Sequence, residues 1–130
     1  MGLFDIFKGG FAFNKMAKAY KEVFDCLGMY KFSYDVRYVY KAAWIFSNCI
    51  LASIDKWHWN MFAGIMIPDY SMLGRITVQE ANLIVMGKIS SITEGMADEE
   101  QSIVEKILDG QKLPEIESLV SLSVRKKLLP

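Results

Sequence analysis

The sequence predicts an all-α protein, a compact bundle or irregular array of about five helices. Three observations carry that expectation. Hydrophobic residues recur at helical spacing along most of the chain, strand signals are nearly absent, and cap or stop residues sit at the ends of the periodic stretches. The 130 residues suffice for one domain, 1–130, with residues 1–13 as a short amphipathic N-terminal segment.

Asn14 can cap a first long helix with the stripe Met16, Tyr20, Val23, Phe24 and Leu27, ended by Gly28. Ser33 can cap a second, whose stripe Val36, Val39, Tyr40, Ala43, Trp44, Ser47, Ile50, Leu51 and Ile54 follows the 3.6-residue period closely. The apolar stretch Ile54–Ile67 either continues that helix or forms a short buried one, before a turn at Pro68-Asp69-Tyr70-Ser71. Thr77 and Glu80 make a capping box for a third helix with Ala81, Val85, Ile89, Ile92 and Met96 inward. Asp98-Glu99-Glu100 opens a fourth, where acids suit the helix dipole; it buries Ile103, Val104, Ile107 and Leu108 and stops at Gly110. Pro114 begins a fifth, with Ile116, Leu119, Val120 and Val124 inward.

Composition narrows the function. Fifteen basic and fifteen acidic residues cancel, while 52% of the chain is hydrophobic. Zero net charge removes the basic excess that a general nucleic-acid binder needs, so no nucleic-acid partner is expected. It also removes the repulsion that keeps copies apart, which favours self-association or a standing protein partner. The charge is uneven: residues 1–56 carry +3, residues 94–122 carry −6 and the last eight carry +3. Complementary packing within the chain, or head-to-tail association between chains, would use that asymmetry. Cys26 and Cys49 are too few for a disulfide framework and lie among apolar residues, and Met1–Phe13 lacks the pattern of a signal peptide; both fit a cytoplasmic protein. The longest uncharged run, Ala42–Ile54, has 13 residues, short of the ~20 that span a bilayer.

Chemistry-bearing motifs are lacking. A single histidine, His58, excludes paired-histidine metal sites, and neither a Cys-x-x-Cys nor a Gly-x-Gly-x-x-Gly occurs. No catalytic residue, cofactor or metal is therefore expected. His58 between Trp57 and Trp59 reads as packed imidazole. Ser-x-x-Lys at Ser53/Lys56 and Ser123/Lys126 lacks the motifs that accompany it in acyl transfer.

Three surfaces stand out. On the back of the second helix, Tyr34, Arg37, Tyr38, Lys41 and Ile45, continued by Asn48 and Ala52, form a second stripe of aromatics and cations. Tyr and Arg suit an interface, so this stripe is the expected partner-binding face; cover by another helix of the same domain is the alternative. At the amino terminus, Leu3, Phe4, Phe7 and Phe11 share a face suited to docking on protein or to a membrane surface, with Gly9-Gly10 as a joint. Ile6 stands where N-myristoylation needs Ser or Thr. Finally, Trp57–Ile67 is either core or the lining of an apolar pocket. The expected function is a non-catalytic protein–protein interaction protein, an adaptor, inhibitor or immunity-type protein, that forms homo-oligomers. A peripheral membrane protein using residues 3–13 is the alternative, and a small apolar-ligand binder or enzyme the third.

Overall fold

The computed structural model describes residues 3–56, 64–70 and 74–125; the side chains of residues 3–15, 55, 56 and 123 lie outside that description. Among the described residues the chain is overwhelmingly helical, as its periodicity predicts.

Helix α1 runs from Leu3 to Ser33 without a break. Gly9-Gly10 is therefore no joint in the backbone, and Gly28 does not end the helix. A glycine inside a helix costs about 1 kcal/mol relative to alanine. Burial of Met16, Tyr20, Val23, Phe24 and Leu27 on one side of α1 outweighs it.

Helix α2, Val36–Ile45, is capped by Asp35 rather than Ser33: its carboxylate accepts from the Arg37 N–H at 3.0 Å. It continues through a π-helical turn, Phe46–Leu51, into α3, Ala52–Lys56. The expected inward stripe is buried along this rod, but so are Ala42, Ile45 and Phe46 on other sides of it. Apolar residues all round a helix mean that neighbours enclose it. Helix α1 packs along one side and the C-terminal half along the other.

The strand signal was too short to register. Met66–Pro68 (β1) pairs antiparallel with Arg75–Thr77 (β2), with Ile67 opposite Ile76. Three residues cannot display a period of two, and only Ile67 of β1 is buried. Helix α4, Val78–Glu94, follows at once with the expected box: the Glu80 N–H donates to Thr77 Oγ1 at 3.1 Å and the Thr77 N–H to the Glu80 carboxylate at 3.4 Å. Helix α5, Asp98–Leu108, opens on its three acids; the Glu100 carboxylate accepts from the Ala97 N–H at 3.1 Å.

The expected fifth helix divides into two single turns, α6, Pro114–Glu117, and α7, Leu122–Arg125. Ile116 and Val120 are buried as expected, whereas Leu119 is exposed. Side chains of the central rod hold this tail. The Trp44 indole donates to Lys112 O at 2.6 Å, Ser47 Oγ to Leu108 O at 3.4 Å and the Cys49 thiol to Val124 O at 3.2 Å. These bonds satisfy carbonyls that a continuous helix would have paired internally.

One polar pair is sealed inside. The Tyr20 hydroxyl donates to Asn82 Oδ1, joining α1 to α4, while Asn82 Nδ2 has no hydrogen-bond partner. Burial, partly offset by the Asn82 bond, keeps the Tyr20 phenol protonated well above its ordinary range. Tyr20→Phe should destabilise the fold by about 1–3 kcal/mol in urea unfolding, because it leaves the amide oxygen unpaired as well. Adding Asn82→Leu to that variant should recover part of the loss. Full stability in Tyr20→Phe alone would show that the bond contributes nothing.

Burial also raises the Cys26 thiol to about 11 and the Cys49 thiol to about 12. Both should therefore be silent to a disulfide reagent at pH 8 in the native state and react only on unfolding. Rapid reaction of either thiol in native protein would contradict the packing.

Candidate functional site

The corner between α1 and α2 gathers exposed aromatic side chains on a rigid backbone. Helix α1 ends with Tyr34 at φ +54°, left-handed, its N–H donating to Tyr30 O at 2.8 Å. Glycine normally fills this closing position, since a side chain there costs of order 1–2 kcal/mol. The strain is held by a clamp. Ser33 Oγ donates to Met29 O at 3.0 Å and accepts from the Asp35 N–H at 3.2 Å. Asp35 in turn takes both its cap bond and a two-pronged guanidinium contact from Arg37, the shorter at 2.6 Å. The Tyr30 and Tyr34 rings meet edge to face at 5.8 Å. On this frame Phe32 is 87% exposed, Tyr34 74% and Met29 46%.

The expected partner-binding stripe begins at this corner and sinks beneath α1. Tyr34 and Arg37 are exposed, and Tyr38 is half-buried. Half-buried Lys41 pairs with Glu22 of α1 at 3.1 Å. Ile45 is fully buried, so it is core and not an interface residue in the folded chain. Cover by another helix therefore accounts for the lower part of the stripe and leaves its upper end free. Phe32 and Met29 join that free end. Their signal in the sequence is that both lie off the Met16–Leu27 stripe.

Leu3, Phe4, Phe7 and Phe11 lie in α1, but their side chains are outside the described residues, as are Trp57, His58 and Trp59. Of the Trp57–Ile67 stretch, Ile67 is fully buried and Met66 is exposed, which places its described end partly in the core. Among the described residues no cluster of His, Cys, Asp or Glu is arranged to hold a metal ion, and no helix is long and apolar enough to cross a membrane.

Helix α4 contributes a second exposed apolar surface that a search for core stripes overlooks. Leu83 is 68% exposed and Met86 is exposed beside it, both off the Ala81–Val85–Ile89 line. A groove of about 370 Å³ lies between α4 and the end of α1, over Leu27, Ile84, Gly87 and Ile92. Another of about 290 Å³ lies between α4 and α5, over Ile89, Val104 and Leu108. Compared with protein-family models, curated proteins and solved structures, the chain matches none.

The Arg37 guanidinium, followed by its backbone N–H, holds the Asp35 carboxyl below the ordinary carboxylate range; the same bond raises Arg37. The sign follows from linkage: the cap's contribution is present above the unfolded-chain value of about 3.9 and is lost as pH falls through the lowered one. A carboxyl-carbon NMR titration should find Asp35 depressed, and Arg37→Ala should move it upward. An unchanged midpoint in that variant would remove the guanidinium as the cause.

Proposed function

We propose that this chain is a non-catalytic protein-binding module, its own copy counted among its partners, and that the α1–α2 corner is a contact surface. One observation carries the reading. Phe32 and Tyr34 face solvent from a turn whose left-handed tyrosine is strained and clamped by Ser33, Asp35 and Arg37. Strain of about 1–3 kcal/mol persists where the surroundings enforce it, and such positions cluster at sites of recognition and switching. A rigid aromatic anchor loses little entropy on binding, which makes it an efficient contact. Arg37, fixed by Asp35, adds a guanidinium at the rim. The cytoplasm suits the two buried free thiols.

The corner can be altered without touching the core. Tyr34→Gly relieves the left-handed strain, which offsets the lost ring contact, so the variant should stay folded to within about 1 kcal/mol. Combined with Phe32→Ser it removes most of the exposed aromatic area. Native mass spectrometry of the chain isolated from its own host should reveal a bound protein or a second copy, and the double variant should lose at least tenfold in occupancy with an unchanged circular dichroism melt. Equal occupancy in the double variant would remove the corner from the reading. Pelleting of the wild type with anionic liposomes, abolished by deleting residues 3–13, would replace it with a membrane-surface function.

A further inference from the structure

We propose that the outward face of α4 is a homodimer interface, in which two copies cross their α4 helices in parallel at Gly87. The inference rests on the protein-binding reading and names a second copy of this chain as the partner at a face distinct from the α1–α2 corner.

Gly87 starts the argument. It sits in the interior of a 17-residue helix, where glycine is the poorest helix former after proline. Nothing within its own chain asks for it: a Cβ built there meets no heavy atom within 4 Å, and its backbone is not left-handed. A glycine that the fold does not need, on the exposed side of a helix, allows another backbone to come close. Around it the surface is apolar and uncharged, with Leu83 and Met86 exposed and Ser90 one turn on.

Charge selects the occupant. The groove on the α1 flank of α4 has Lys31 and Lys88 as its charged lining, and the groove on the α5 flank has Glu94 and Glu105. The face thus carries opposite signs on its two sides of an apolar ridge. A two-fold axis running along α4 exchanges the flanks, so that each lysine-lined groove lies over the partner's glutamate-lined groove, twice per dimer. An axis across α4 would make the helices antiparallel and set lysines over lysines and glutamates over glutamates. Only the parallel arrangement is self-complementary. Crossing the helices at an angle of about 50°, the commonest for close-packed helices, confines contact to the turns around Gly87 and lets Glu80 and its copy diverge. A partner of uniform charge would satisfy one groove and be repelled by the other.

Sedimentation equilibrium of the full chain across a dilution series tests this. The wild type should dimerise. Gly87→Arg should raise the dissociation constant about a hundredfold or more, with a melting temperature equal to or above the wild type's, since the new side chain enters open space. Lys88→Glu should weaken the dimer about tenfold, and Lys88→Glu with Glu94→Lys should restore most of it, because swapping both signs keeps the flanks complementary. A wild type that stays monomeric, or a Gly87→Arg variant that dimerises as well as the wild type, overturns the proposal. Failure of the double swap to restore the dimer overturns the parallel geometry. If Gly87→Arg dimerises normally and Phe32→Ser with Tyr34→Gly does not, self-association belongs to the corner: the protein-binding reading stands and this interface falls.

Discussion

Everything in this fold is arranged around one helix that must hide its whole circumference. From Val39 to Phe46 only Lys41 among eight consecutive residues is not buried, and no single neighbour can cover such a surface. Helix α1 has to lie along one side, α5 and the C-terminal turns along the other. Removing that much apolar area from water is the dominant favourable term in the fold. It also dictates the compromise seen at Lys41, which stays half-buried and meets Glu22 at the seam between α1 and α2.

Enclosure by loops rather than by regular helices creates a hydrogen-bonding problem at the carboxyl end, and the central rod solves it. Trp44, Ser47 and Cys49 each donate to a carbonyl at or beyond the end of α5. The segment from Gly110 to Arg125 can thus cover the rod without long helices of its own. Because the chain spends its apolar residues on that enclosure from two sides, α4 is covered only on its inner face. Leu83, Met86 and the two flanking grooves are what is left outward.

Helical periodicity is readable wherever one face of a helix is buried and the other wet. That is why the stripes of α1, α4 and α5, the Thr77–Glu80 box and the acidic start at Asp98 can all be taken from the residues alone. The boundaries are less readable, because they depend on contacts distant in sequence. Packing on both sides of Gly28 overrides its tendency to end a helix, and donors from the rod divide the expected fifth helix. The β-hairpin is too short for its period to show. At the surface, Tyr34 and Arg37 are legible as an aromatic and cationic pair, while the burial of Ile45 is not: its position on the back of α2 is known from spacing, but the helix that covers it is not. Phe32, Leu83 and Met86 carry a signal only as departures from a neighbouring stripe.

The π-helical turn at Phe46–Leu51 has a consequence for how the two halves of the domain are aligned. A π turn holds one more residue than an α turn over the same rise, so it works as an angular spacer in an otherwise regular rod. Each residue of an α-helix turns the chain through about 100°. Loss of one residue from this turn would rewind it to α geometry and swing everything after it by that angle. Ser53 and Ile54 would leave the interior, and the hairpin and α4 beyond them would be redirected. The relative orientation of the first and second halves is therefore keyed by a single residue of length, in a stretch where substitutions of similar size would be tolerated and a one-residue deletion would not.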